Sequence, residues 1–350
     1  MSQTEMQIEG GEQAGVQMEM AMKMVGIISG FWVSRVVYIA AKLGLADLLK
    51  DGAKTVEELA KATDTHTPSL YRVLRALTGA GVVAEDEEKR FALTPLGATL
   101  RSDVPFSLRA LATSELGEVH YPSWGGLLHT VKTGERAFDH VFGTDCWDYF
   151  AKHPEYAKIF NQSMTEVTRV VEPAVTRAYD FSGFAKIVDV GGGHGGMLTS
   201  ILKKSPQSKG VILDAPQVVA GAKERIEAEG LTERCEAVGG NFFESVPEGG
   251  DAYIMKHIIH DWEDKEAVAI LKNCRKAIKE GGKVILIESV VPAGNEPSLA
   301  KFGDLVMMLI PGGRERTAEE FGALFEAAGF RLERIIPTES PMCVIEAVTA

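Results

Sequence analysis

The sequence predicts an α/β protein in two parts: a mainly helical N-terminal region, then a Rossmann-like, largely parallel sheet. Three observations carry this. The chain has 350 residues, and at roughly 150 residues per domain that length accommodates two. Apolar spacing is helical up to about residue 180, beyond which short β-rich runs alternate with helical stretches. The last two β-rich runs are joined only by Pro337 to Pro341, too short for a crossover helix, so they form an antiparallel hairpin.

Composition narrows the partners. With 45% apolar and 25% charged residues the chain is an ordinary soluble globular protein, long enough to bury a core without disulfide or metal staples. Asp and Glu outnumber Lys and Arg by 49 to 37, a net charge of −12, which argues against a surface built for nucleic-acid phosphate or anionic lipid. The four cysteines, Cys146, Cys235, Cys274 and Cys343, form no C-x-x-C pair and read as isolated thiols in a reducing compartment. Met24 to Ala41 is apolar but broken by Gly30, Ser34 and Arg35, too polar for a membrane span. Met1 to Gln17 carries Glu5, Glu9 and Glu12 and no base, unlike a leader peptide. The expectation is a cytoplasmic protein with a disordered tail over residues 1–18.

Residues 19–105 are expected to form the first domain. Val36, Val37, Ile39 and Ala40 mark one apolar helix face, stopped near Gly44. Thr55 followed by Glu58 is a capping box that opens a short helix through Leu59. Thr67 and Pro68 supply a cap and a first-turn proline for the next helix, whose buried face is Leu70, Val73, Leu74 and Leu77 and whose end is Gly79 and Gly81. Val82 to Ala84, the acidic turn Glu85 to Glu88 and Phe91 to Leu93 form a hairpin. Helices followed by a hairpin make a winged helix. Arg72 and Arg75 would lie on its recognition helix, but the wing tip Glu85-Asp86-Glu87-Glu88 would be repelled by phosphate. Dimerisation suits this domain better, because Val25 to Val37 fits an interface.

Residues 106–180 are expected as a helical linker rich in aromatic residues. Trp124, Trp147, Tyr149, Phe150, Phe160 and Met164 serve a helical core and, as a group, can line a pocket for a flat apolar ligand. Trp147, Phe160 and Met164 are therefore assigned to the substrate side.

Residues 181–350 carry the sheet. Lys186 to Val190, Gly210 to Leu213, Cys235 to Val238, Asp251 to Met255 and Gly282 to Glu288 are its strands. Val218 to Ala228 and Lys265 to Glu280 are among the intervening helices, and Phe330 to Ile336 and Met342 to Val348 form the terminal hairpin. The first strand runs into Gly191-Gly192-Gly193-His194-Gly195-Gly196 and then a helix. Such a turn lets a ligand approach the backbone, and the helix start offers free N–H groups. Gly191, Gly193 and Gly196 satisfy G-x-G-x-x-G, which suits a dinucleotide pyrophosphate or the carboxypropyl chain of S-adenosylmethionine equally. Asp214, closing the next strand, can accept both ribose hydroxyls of either cofactor. A further strand ends in Lys256-His257-Ile258-Ile259-His260-Asp261-Trp262, at the sheet edge where ligands bind in open α/β folds. H-x-x-H without a cysteine or an H-E-x-x-H frame is a weak metal motif, and no metal is expected.

Six motifs stand out: Asp189 to Gly193 (D-V-G-G-G), Leu213 to Pro216 (L-D-A-P), Gly239 to Phe243 (G-G-N-F-F), His260 to Trp262 (H-D-W), Gly282 to Glu288 (G-K-V-I-L-I-E) and Gly312 to Thr317 (G-G-R-E-R-T). On them the chain resembles the plant-type, metal-independent small-molecule O-methyltransferases, the caffeic acid O-methyltransferase family, in a bacterial-type form. The resemblance spans roughly residues 20 to 350. It implies a class I methyltransferase sheet behind a dimerisation domain, a homodimer, and transfer of a methyl group from S-adenosylmethionine to an aromatic or phenolic hydroxyl, leaving S-adenosylhomocysteine.

The resemblance also implies residue roles. His260 is the general base, oriented by Glu288 and Glu315. Gly191, Gly193, Asp214 and Lys256 contact the cofactor, with Asn241 and Phe242 at its adenine. Asp261 and Met307 join Trp147, Phe160 and Met164 on the acceptor side. At Asn241-Phe242 the chain departs from the family's Asp-Met pair, and an Asn carbonyl can still accept from the adenine amino group. Leu309-Ile310-Pro311 is one residue shorter than the plant pattern and lacks its asparagine, so a plant phenylpropanoid substrate is not implied. Two other functions fit parts of the pattern. One is a same-fold relative doing hydroxylation or decarboxylation, and the other is a winged-helix metabolite sensor.

Overall fold

A computed structural model describes the backbone of residues 3–350 and side chains from Gly15 onward. The chain separates into two compact units, Met1–Gly117 and Glu118–Ala350.

The first unit opens with α1 (Gln3–Lys42). The tail expected over residues 1–18 lies partly outside the described residues. Its described backbone, from Gln3, belongs to this helix and not to a disordered segment. Within Gly15–Lys42 an 18-residue window has a mean hydropathy of 1.6, enough by length and composition alone to cross a membrane. The sequence reading of this stretch as too polar is corrected to that extent. Tyr38, Ala40 and Ala41 at its C-terminal end are buried, whereas Ile27, Ile28, Phe31 and Trp32 are exposed. α2 (Leu45–Leu48), α3 (Val56–Thr63) and α4 (Thr67–Gly79) follow. The Thr55–Glu58 capping box is fully formed. At α4 the cap position is His66, not Thr67, because Thr67 already has helical geometry ahead of Pro68. β1 (Lys54–Thr55), β2 (Val83–Glu85) and β3 (Arg90–Leu93) pair in the order β1-β3-β2. Arg90 pairs with Asp86 and Glu88, partly neutralising the acidic wing turn. Leu59, Leu74, Leu77 and Phe91, all fully buried, centre this core.

α5 (Arg109–Glu115) also belongs to the first unit. Arg109 pairs with Asp47 and donates to the Ala41 carbonyl at 3.0 Å, and Arg35 donates to the Leu116 carbonyl. The helical segment expected as one linker over 106–180 is thereby divided between the units.

The second unit begins with α6 (His120–Gly125), α7 (Leu127–Thr133), α8 (Ala137–Phe142), α9 (Cys146–Lys152) and the long α10 (Pro154–Ala178). Then come β4 (Lys186–Val190), α11 (Gly196–Lys204), β5 (Lys209–Asp214), α12 (Pro216–Ala228), β6 (Cys235–Gly239) and β7 (Ala252–Lys256). α13 (Asp264–Ala277), β8 (Lys283–Glu288), α14 (Ala300–Leu309), α15 (Ala318–Ala327), β9 (Phe330–Pro337) and β10 (Cys343–Thr349) complete it. Seven strands form one sheet in the order β6-β5-β4-β7-β8-β10-β9. β4 to β8 are mutually parallel, and β10 runs antiparallel to β8 and β9.

Alternation of side chains along each strand fills both faces of this sheet. Val188, Val211, Tyr253 and Leu286 face α13 and α15, where Ile270, Leu271, Phe321 and Phe325 meet them. Ile187, Ile212, Ile254 and Ile285 face α10, α11 and α12, against Val175, Leu198, Ile201 and Ala222. Strand order reverses between β4 and β7, so a crevice opens at their C-terminal ends. Asp214 ends β5, Gly191 follows β4, Lys256 ends β7 and Glu288 ends β8. Four adjacent strands thus deliver four of the predicted site residues to one edge.

Candidate active site

The glycine turn after β4 is shaped by close packing. A Cβ on Gly191 would fall 2.4 Å from Ile258 Cδ1, one on Gly192 2.7 Å from Asp189 Cγ, and one on Gly195 2.5 Å from Ile212 Cδ1. Gly193 differs: at φ +56 it needs glycine, yet nothing lies within 4 Å of its Cβ direction. The turn is tight where it meets the sheet and open at Gly193. Asp214 fixes it from the side, accepting the Gly193 N–H and the Ala215 N–H, each at 2.7 Å. Burial raises the Asp214 pKa, against those two bonds and the charge of nearby His194. The carboxylate keeps lone pairs for further donors.

Below the turn, Asp189 is buried with one carboxylate oxygen unpartnered among the described residues. Burial pushes its pKa up to about 7, against the favourable charge of Lys256. Burial likewise lowers the Lys256 pKa, opposed by Glu288, Asp189 and Asp261. Lys256 Nζ lies 3.3 Å from His257 Nδ1. His257, at φ +54, stacks on His260 with ring centroids 4.9 Å apart, which is not the arrangement of two chelating imidazoles.

His260 sits in a short 3₁₀ turn, Ile259–Asp261. Its Nδ1 lies 2.9 Å from Glu315 Oε1 and 3.6 Å from Glu288 Oε2, and its Nε2 3.5 Å from Asp261 Oδ1. The two glutamates work differently. Glu315 accepts from the ring. Glu288 Oε1 accepts the N–H groups of Ile258 and Ile259, each at 3.0 Å, and so holds the backbone that presents the ring. Burial by itself would lower the His260 pKa, but the charges of Glu288 and Asp261 and the bond to Glu315 outweigh it and raise it to about 10. One ligating atom each from His260, Glu288 and Glu315 lie within 4.8 Å of one another, close enough to hold a cation. The sequence had not singled out that combination as a metal site.

The loop carrying Glu315 is bound tightly to the His260 turn. The Arg314 N–H donates to the His260 carbonyl at 2.9 Å, and a Cβ on Gly313 would fall 2.0 Å from that same oxygen. Arg316, fully buried, donates to the carbonyls of Ile259 (3.1 Å) and Trp262 (2.9 Å) and pairs with Asp264 at 2.8 Å. Asp304 on α14 accepts the Glu315 N–H at 3.0 Å. Sequence reasoning missed Gly313, Arg316 and Asp304. The two arginines flanking Glu315 in G-G-R-E-R-T are the signal that could have found this clamp.

An aromatic wall stands beside the turn. Trp147 on α9 stacks on Trp262, centroids 5.9 Å apart and planes 21° apart, and meets Phe160 of α10 edge-on at 6.4 Å. Phe150 and Phe160 stack at 5.1 Å. Trp147 and Phe160 thus join the His260 segment through Trp262. Met164 and Met307 are half-buried on α10 and α14, and no described contact ties either to His260. Phe242 lies edge-on to Trp262 at 6.2 Å. The Asn241 carbonyl oxygen, expected to be available to adenine, already accepts the Phe243 N–H at 3.0 Å, and its amide donates to Glu244 at 3.2 Å. All four cysteines are free thiols.

Comparison with known proteins adds to this geometry. Residues 124–331 match the O-methyltransferase domain and residues 25–103 the O-methyltransferase dimerisation domain. The chain is 45% identical to a phenazine O-methyltransferase, PhzM, of Lysobacter antibioticus, over 93% of this chain and 95% of that one. The crystal structure of LaPhzM superposes with a TM-score of 0.92 at 44% identity, covering 95% of this chain and 99% of the other. An O-methyltransferase of neocarzinostatin biosynthesis, NcsB1, solved with S-adenosylmethionine and 2-hydroxy-5-methyl naphthoic acid, superposes with a TM-score of 0.79 at 32% identity, over 91% and 96% of the two chains.

Proposed function

The chain belongs to the O-methyltransferase family with its paired dimerisation domain, and from that premise we propose that it methylates a hydroxyl of a planar aromatic small molecule, with S-adenosylmethionine as donor and His260 as general base. What carries the reading is the placement of His260. The ring is locked by Glu315 at 2.9 Å, on the segment that runs into Trp262, which stacks on Trp147.

The residues present fit the cofactor. Gly193 offers an open backbone approach, Asp214 has free lone pairs for ribose hydroxyls, and the buried, unpartnered oxygen of Asp189 with Lys256 gives the crevice a polar floor. Asn241 and Phe242 flank the end of β6 on the adenine side, and Gly191 shapes the turn. When bound, S-adenosylmethionine supplies a methyl group on a sulfonium, so the leaving group is already in place.

The protein's task is to present an ionised oxygen in line. Nδ1–H of His260 donates to Glu315, which leaves Nε2 for the acceptor O–H. The carboxylates of Glu288, Asp261 and Glu315 that raise the ring's pKa against burial stabilise the imidazolium that forms when Nε2 takes the acceptor proton. Trp147 and Phe160 stack the acceptor, with Asp261, Met164 and Met307 on the same side.

Metal has no part in this scheme, since Glu315 already occupies the ring nitrogen. We further assign a homodimer, with the exposed Ile27, Ile28, Phe31 and Trp32 of α1 as part of the covered face, working in the cytoplasm without nucleic-acid or membrane partners.

Incubation with methyl-labelled S-adenosylmethionine and a panel of hydroxyphenazines and hydroxynaphthoates, in excess EDTA, is expected to place label on oxygen. Label on nitrogen or carbon alone would contradict the acceptor class. Turnover abolished by EDTA and restored by magnesium would contradict the metal-free reading and favour a cation at His260, Glu288 and Glu315.

A further inference from the structure

α10 reaches both halves of the site. Phe160 belongs to the aromatic wall, and one turn later Thr165 meets the glycine turn: its Oγ lies 3.1 Å from His194 Nδ1. The Thr165 hydroxyl gives its single proton to the Asn161 carbonyl at 3.0 Å. Toward His194 it therefore accepts, and Nδ1 of His194 carries the proton. His194 is the one side chain in the run Gly191 to Gly196. Its far edge is packed on α12, where a Cβ on Gly221 would fall 2.6 Å from Cδ2 and 2.9 Å from Nε2. A second contact lies one turn along α10: a Cβ on Gly196 would come 3.0 Å from Thr168 Cγ2. The peptide before His194 is Gly193, whose N–H is held by Asp214 at 2.7 Å and whose outer side is open. A ligand that grips Gly193 and Asp214 fixes the backbone directly beside this latch.

We propose that His194 is a positioning residue that couples occupancy of the glycine turn, through Thr165, to the order of α10, which carries Phe160 of the aromatic wall. This rests on the reading that S-adenosylmethionine occupies the glycine turn. The physical basis is shared ordering: a ligand that immobilises one segment suppresses local opening of whatever is bonded to it, and the next ligand then has less to order.

The test is hydrogen–deuterium exchange on the full chain, with S-adenosylhomocysteine as the probe. In the wild-type protein the probe should slow exchange both across Gly191 to Thr199 and across Tyr156 to Thr168, the latter by about fivefold or more, as expected for suppressed local opening. Thr165→Val keeps the shape and removes the hydroxyl. It should retain protection of the glycine turn while the effect on α10 falls below about twofold. Thr165→Ser should restore it. Two results would overturn the latch and leave the cofactor reading standing: α10 unaffected in wild type while the turn is protected, or equal protection of α10 in Thr165→Val. Absence of protection at the turn itself would overturn both.

Discussion

Residues around His260 divide the work of holding its ring. Glu315 fixes the ring and Glu288 the backbone behind it, while Arg316 ties their loops together. The edge position of Asp214, Lys256 and Glu288 was legible in the sequence, because a carboxylate or lysine closing a β-rich run lands at the C-terminal edge of a parallel sheet. The clamp's backbone contacts were not. Arg316 bonds to carbonyls and Gly313 packs against one far away in sequence, and the arginine pair of G-G-R-E-R-T signals a clamp without naming those partners. Asn241 shows the converse limit, since its residue type fits adenine but its oxygen also accepts the Phe243 N–H, a local bond that residue type does not announce.

Asp214 offers a clean test at this scale. Asp214→Ala should weaken S-adenosylhomocysteine binding by about 1–3 kcal/mol, the usual worth of hydrogen bonds to a charged acceptor, as read by calorimetry. Because burial raises its pKa, wild-type affinity should fall with decreasing pH from above the ordinary carboxylate range, and the variant should lack that limb. Identical affinities in the two proteins would contradict the assignment.

Elements were legible where their periodicity is plain. The strands of the second unit and the helices of the first unit announce themselves by spacing, and the Thr55 capping box by two residues. Boundaries set by long-range contacts were less so: α5 joins the first unit because Arg109 bonds into α1 and α2, which its local sequence does not reveal. The loop between α14 and α15 is the element whose fit matters most to the site. Gly313→Ala would drive a Cβ into the His260 carbonyl, 2.0 Å away, so the whole turn must shift. It should destabilise the protein by about 1–3 kcal/mol, as overpacking does, and lower kcat more than it weakens cofactor binding. Gly183→Ala, with nothing within 4 Å of the added atom, is the control. Equal behaviour of the two variants in melting and turnover would show that the loop does not brace His260.

At the scale of the whole molecule, the second unit carries the glycine turn, the His260 segment and the aromatic wall, and the first unit leaves Ile27, Ile28, Phe31 and Trp32 of α1 exposed. The order of these parts was readable from the change of periodicity near residue 180. The electrostatics of His260 were not, because the rise in its pKa against burial depends on carboxylates arriving from β8 and from the loop after α14. The central claim is that His260 takes the proton from an aromatic hydroxyl during methyl transfer. Its most direct test is kcat of wild type and His260→Gln across a series of phenolic acceptors of graded pKa. The account predicts a defect of about 10²–10⁴ for weakly acidic phenols, the usual scale for a lost general base, shrinking toward unity for phenols already ionised at the assay pH. A defect of the same size across the series, or no defect at all, would contradict it.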